Sequence, residues 1–131
     1  MILGIGVDIV KIARFEGKDK SNDNQPARIF TPSEQEYISK KGPQTAAGIF
    51  AAKEAIAKSL GTGFSGFWPN AIEITHNKKG RPQATLHQEA AKIAQNLANG
   101  EYSIMLSISH TNEDAVAFAV VQYHASCKSP T

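Results

Sequence analysis

The stretch from Thr45 to Leu60 limits what this chain can fold into more than any other. Alanine stands at 47, 51, 52, 55 and 57, and no residue type favours a helix more. Gly61 follows, a favourable residue just past a helix end. The spacing predicts a helix over 45–60 whose small side chains leave little bulk to block a neighbouring strand or ligand. At the N-terminus a different period holds. Leu3, Ile5, Val7 and Ile9 alternate with Gly4, Gly6 and Asp8, which is the two-residue repeat of a strand over 2–10. Asp8 then stands on a stripped face, where the glycines permit close approach by another backbone or a ligand.

The remaining elements follow from punctuation. Thr31-Pro32-Ser33-Glu34 combines an N-cap threonine, proline at the first helical position and a glutamate three residues on, a capping box. It predicts a helix to Lys40 or Lys41, stopped at Gly42-Pro43. Ala71 to His76 and Pro82 to His87 alternate and are joined by Asn77-Lys78-Lys79-Gly80-Arg81, a hairpin with a basic tip. Gln88 to Asn99 reads as a helix ended by Gly100. Tyr102 to His110 and Ala115 to Tyr123 form a second hairpin around 111–114. The polar run Lys18 to Pro26 reads as a loop, and the chain from His124 as a frayed tail. The order β-α-α-β-β-α-β-β predicts an α+β fold with helices packed on a mainly antiparallel sheet. The expected organisation is one domain over 1–123 with a tail over 124–131.

Charge and cysteine content narrow the partners. With 131 residues, 14 basic and 12 acidic side chains and a net charge of +2, the chain lacks the dense basic stripe that nucleic acid demands. Met1 to Val10 is apolar but carries Asp8 and no basic leader, and is far shorter than the ~20 residues of a membrane helix. A single cysteine, Cys127, excludes a disulfide framework and suits a reducing compartment, the cytoplasm.

Two carboxylates carry the chemical reading. Asp8 lies among Ile5, Val7, Ile9 and Val10 and needs a cation to replace lost hydration; a solvated strand end is the plain alternative. Glu54 and Lys58 share a flank of the alanine-rich helix, one turn apart, where an ion pair worth only ~0.3–0.5 kcal/mol is the plain reading. Lys53 lies close beside the apolar stripe of Ile49, Ile56 and Leu60. Asp8 and Glu54 together make an incomplete oxygen site that suits magnesium, leaving positions for water and a substrate phosphate. Lys53, Lys58, Lys78, Lys79 and Arg81 would balance phosphate charge, and Gly80 can turn amides toward an anion. His110, after Ser107-Ile108-Ser109, is a candidate base or phosphate contact, but no acid beside it completes a triad. His76, His87 and His124 fit no zinc spacing.

With these residues assembled, the chain resembles the bacterial holo-[acyl-carrier-protein] synthases of the 4′-phosphopantetheinyl transferase family. The likeness rests on Gly4-Ile5-Gly6-Val7-Asp8-Ile9-Val10, Arg28-Ile29-Phe30-Thr31-Pro32-Ser33-Glu34 and Phe50-Ala51-Ala52-Lys53-Glu54-Ala55 with Lys58. Leu60-Gly61-Thr62-Gly63, Gly80-Arg81-Pro82 and Ser107-Ile108-Ser109-His110 complete it. The resemblance implies transfer of phosphopantetheine from coenzyme A to a serine of apo acyl carrier protein, releasing adenosine 3′,5′-bisphosphate, in fatty acid biosynthesis. It implies Asp8 and Glu54 as magnesium ligands, and Asp8, Glu54, Lys58 and His110 as catalytic. Lys53, Lys58, Gly80, Arg81, Pro82 and His110 are implied as the coenzyme A site, Arg14 and Arg28 as the carrier-docking residues. A homotrimer with interfacial sites is also implied. Ile49 stands where the family commonly has arginine. A metal-dependent phosphohydrolase and a non-catalytic carrier-binding module are the alternatives.

Overall fold

The computed structural model describes residues 1–16 and 26–124. Most of the predicted loop over 18–26, and the tail beyond His124 with Cys127, lie outside the described residues. The chain forms strand β1 (Ile2–Lys11), a 3-10 turn (Ile12–Phe15), a single helical turn α1 (Pro26–Ile29), α2 (Pro32–Lys41) and α3 (Pro43–Ser59). A 3-10 turn (Pro69–Ala71), β2 (Ile72–His76), β3 (Pro82–Leu86), α4 (Gln88–Ala98), β4 (Tyr102–His110) and β5 (Asp114–Tyr123) follow. All strand pairs are antiparallel, in a three-stranded sheet ordered β1-β5-β4 and a two-stranded sheet of β2 and β3. The expected α+β architecture holds.

Helix α2 begins as its sequence dictates. The Thr31 hydroxyl accepts from the Glu34 amide at 3.2 Å, and a Glu34 carboxylate oxygen accepts from the Thr31 amide at 2.8 Å, so two otherwise orphaned donors are satisfied. Gly42, at φ 108°, is the single residue between α2 and α3 and caps both. The helix predicted from Thr45 therefore begins at Pro43, because proline at the first helical position needs no amide donor.

The close seam lies between α3 and β1. A Cβ placed on Gly4 would come within 1.9 Å of the Ser59 carbonyl oxygen, and one on Gly6 within 1.9 Å of the Ala55 oxygen. Only glycine admits that contact, since any methyl would have to displace the helix backbone. Ala47, Ala51, Ala52, Ala55 and Ala57 are completely buried in the same layer, facing Ala115, Ala117 and Ala119 of β5 or their neighbours in the core. The glycine side of β1 thus faces inward. Its apolar side faces out, with Ile5, Val7 and Ile9 60%, 54% and 65% exposed, beside Phe118 and Met105. Alternation located the strand correctly; the seating of α3 on bare backbone decides which side is covered.

Candidate active site

β1 carries Asp8 beneath the C-terminal half of α3, where its carboxylate is 17% exposed. Lys58, 50 residues away in sequence, places Nζ 3.0 Å from Asp8 Oδ1 and donates a second hydrogen bond to the Val7 carbonyl at 3.1 Å. Glu54, one turn before Lys58, joins the same cluster. Burial raises the Glu54 carboxyl above its ordinary pKa and the Asp8 charge raises it further, while Lys58 and Arg14 draw it partway back. Two acids and two cations from β1, the following 3-10 turn and α3 therefore share one field. Arg14 is held over this region by aromatic faces, with its guanidinium carbon 4.8 Å from the Phe50 ring centre and 5.8 Å from that of Phe15.

The donor chemistry fits a hard divalent cation. Asp8 and Glu54 offer only carboxylate oxygens from two elements, and burial first, then the Asp8 charge, raises the Glu54 carboxyl, so a cation placed between them would offset lost hydration as well as mutual repulsion. Among the described residues no group of three or more His, Cys, Asp or Glu stands together. The protein's share of such a shell would be this pair, a pattern suited to magnesium with water and substrate oxygens in the other positions.

A cleft of about 210 Å³ opens beside the N-terminal half of α3, lined by Tyr37, Gln44, Thr45, Gly48, Ile49, His76, Gly80, Pro82, Ile108 and His110. The β2–β3 turn sets its floor. Asn77 Oδ1 accepts from the amides of Lys79 and Arg81, both at 2.9 Å, and Gly80 takes the φ of 85° that this turn requires. Tyr37 and His76 form one wall as a stacked pair, 4.3 Å between centres and 11° between planes. Burial, with Lys41 nearby, holds His76 below its ordinary pKa. At the mouth, His110 Nδ1 lies 3.0 Å from the Thr111 carbonyl oxygen. That oxygen only accepts, so this contact places a proton on Nδ1, and in that tautomer Nε2 is an acceptor.

The sequence-predicted residues thus fall into separate places. Asp8, Glu54, Lys58 and Arg14 meet at the β1 flank of α3, whereas Gly80, Pro82 and His110 meet in the cleft. Arg81 lines a neighbouring groove between β3 and β4 instead. Arg28 lies on α1 with its guanidinium carbon 4.4 Å from the Trp68 ring centre. Lys53 reaches none of these places, which corrects its expected contact with coenzyme A. Its side chain is completely buried and its amine bonds Glu34 at 2.8 Å, the Pro69 carbonyl at 3.2 Å and the Ile72 carbonyl. The sequence reading treated Glu34 as a helix cap and missed this second role. A lysine beside a stripe of isoleucines needs a buried acid, and that was the available signal. Tyr37 and His76 were also missed, being adjacent only through the packing of α2 on β2.

Residues 4–119 match the family model described as the 4′-phosphopantetheinyl transferase superfamily. A holo-[acyl-carrier-protein] synthase from Clostridium botulinum is 45% identical over 124 residues, covering 93% of this chain and 98% of that protein. The crystal structure of a holo-ACP-synthase from Plasmodium yoelii superposes with a TM-score of 0.80 at 32% identity, covering 95% of this chain and 98% of the other. A holo-(acyl-carrier-protein) synthase from Bacillus anthracis, in complex with CoA (3′,5′-ADP), gives 0.75 at 32% identity over 95% and 99%. With its strand aspartate, helix glutamate and close glycine seam in place, the chain belongs to the 4′-phosphopantetheinyl transferase superfamily.

Proposed function

We propose that this chain transfers 4′-phosphopantetheine from coenzyme A to a serine of an apo acyl carrier protein, releasing adenosine 3′,5′-bisphosphate, and that it works in the cytoplasm. The observation that carries this reading is the meeting of Asp8, Glu54 and Lys58 at one flank of α3. That the relatives named above are holo-[acyl-carrier-protein] synthases agrees with it.

Asp8 and Glu54 would hold Mg2+, which when bound supplies charge to offset the diphosphate. In the reaction the carrier serine oxygen attacks the β-phosphorus of coenzyme A. A phosphorus–oxygen bond forms there as the bridging bond to the nucleotide breaks, and the serine proton leaves to base. Lys58 is half-exposed beside Asp8 and offers its ammonium to the leaving phosphate, a placement and charge effect of the kind that dominates phosphoryl chemistry. His110, with Nε2 free to accept, orients a hydroxyl or water at the cleft mouth. Gly80 and Pro82 receive the nucleotide end, and Arg14 and Arg28 face the acidic surface of the carrier.

The cleft is not lined by Asp8, Glu54 or Lys58. This division, and the outward apolar face of β1 and β5, support a homotrimer whose sites combine the acid cluster of one copy with the cleft of the next. Ile5, Val7, Ile9 and Phe118 are about half or more exposed in the single chain, and covering them is a hydrophobic gain that a second copy supplies. Mass spectrometry of an apo carrier incubated with coenzyme A, Mg2+ and the protein tests the activity. A phosphopantetheine mass gain supports transfer; nucleotide release without carrier modification makes it a phosphohydrolase, and binding without conversion makes it a carrier-binding module. Sedimentation of the Val7→Asp variant tests the assembly, with loss of the trimer expected.

A further inference from the structure

We infer that the buried Lys53–Glu34 pair is a positioning device that fixes the rotation of α3 and so aims Glu54 at Asp8. The inference rests on the metal role proposed above for Glu54. Lys53 and Glu54 are consecutive, and on an α-helix consecutive side chains point about 100° apart. Whatever holds the direction of Lys53 therefore holds that of Glu54.

Burial of Ile49, Phe50 and Ile56 and the bonds of half-exposed Lys58 to Asp8 and the Val7 carbonyl also orient the helix, but only Lys53 does so through a completely buried, fully partnered charge. Packed helices are usually oriented by ridges of side chains seated in grooves. The seam between α3 and β1 instead brings glycine against backbone carbonyls, at Gly4 over Ser59 and Gly6 over Ala55. Such a seam fixes distance and selects the face of α3 that meets β1, and a directional bond refines the angle within that face. The apolar burial around it is non-directional. Lys53 supplies direction. Its ammonium has three donors, and three acceptors meet it: Glu34 at 2.8 Å, the Pro69 carbonyl at 3.2 Å and the Ile72 carbonyl. Glu34 is fixed in turn, accepting from the Thr31 amide at 2.8 Å and the Ile74 amide at 2.6 Å. Both side chains are completely buried. A buried ion pair is seldom more stabilising than an apolar pair of the same volume, so stability alone does not account for it. Orientation does.

The test uses the paired variant Lys53→Met/Glu34→Gln, which removes both charges together and keeps the bulk. Thermal melts establish folding, and Mn2+ binding in the presence of coenzyme A is followed by electron paramagnetic resonance, with Asp8→Asn as reference. The expected result is a paired variant that melts cooperatively and binds Mn2+ at least ~10-fold more weakly, the size usual for groups that orient a ligand. The carrier KM should stay within about two-fold of the parent, because Arg14 and Arg28 are untouched. A pair that only held the fold together would leave Mn2+ affinity unchanged once folding is retained, and that result overturns the inference. Should the paired variant not fold, Glu34→Asp carries the test. It keeps both charges but withdraws the carboxylate by one methylene, and unchanged Mn2+ affinity there overturns the inference equally. If the parent and Asp8→Asn bind Mn2+ alike, the metal assignment itself has failed and this inference falls with it.

Discussion

Two lysines on α3, Lys53 and Lys58, face opposite physical problems. Lys53 is completely buried against Glu34, and burial pushes its amine below the ordinary pKa while Glu34 opposes that shift. Lys58 is 52% exposed and pairs with an aspartate that is itself near the surface. The first pair is surrounded by protein donors and acceptors with no free valence. The second has its partner on one side and solvent on the other, so its cation can be turned to a ligand. Burial and completeness of partners, rather than residue type, separate a lysine that holds the fold from one that can meet a substrate.

The largest expected effect breaks the comparison on the exposed side. Asp8→Asn or Lys58→Met should lower turnover by ~10²–10³-fold, the usual loss when one charged stabiliser of a phosphoryl or oxyanion centre is removed, with the melting temperature nearly unchanged because exposed pairs contribute under about 1 kcal/mol. Carrier modification followed by mass spectrometry, beside a thermal melt, measures both; retained turnover would place Lys58 with ordinary surface ion pairs. On the buried side, Lys53→Met leaves the Glu34 carboxylate without its cation and should cost ~3–5 kcal/mol of stability, read by denaturant unfolding. A loss below 1 kcal/mol would mean that Glu34 finds another partner.

Smaller effects sharpen the contrast between exposed and covered charge. Arg14→Glu should raise the carrier KM by about ten-fold, more than that for coenzyme A, and added salt should weaken carrier binding in the parent by screening exposed charges beyond ~10 Å. Steady-state kinetics at two ionic strengths decides this. The smallest effect concerns Glu73, whose carboxyl is held below its ordinary pKa by the Ser33 hydroxyl first and then by His87 and Thr31, against the opposing effect of burial. A carboxylate depressed in the folded state stabilises at pH above its unfolded value, and this contribution fades as pH falls through the folded value. Glu73→Gln should therefore lower stability modestly at neutral pH and flatten its decline on acidification. Melts between pH 3 and pH 7, taken as about the window set by ordinary carboxylates, would show parallel curves if the Glu73 contacts are inert.

Most of the fold was legible because its signals are local. The capping box at Thr31 marked the start of α2, and alternation marked every strand within a residue or two. What stayed hidden depends on contacts between distant elements. Five alanines and two glycines announce close packing, but only the fold seats Gly4 and Gly6 against the carbonyls of Ser59 and Ala55, turning the apolar side of β1 outward. Asp8, Glu54 and Lys58 stood out because charge on small-residue backbones is conspicuous. Lys53 looked equally available, and its fate was decided by Glu34, a residue already explained by its cap. Tyr37 and His76 carried no signal at all, since stacking across α2 and β2 leaves no trace in either segment.

The bare backbone at Gly6 has a consequence for reading relatives of this chain. A single methyl there would force α3 outward at Ala55, the residue after Glu54, and the gap between the two acids would widen without either being replaced. A homologue with alanine at that spot could retain every reactive group and still be inert. The spacer, not the reagents, would be the thing to check first.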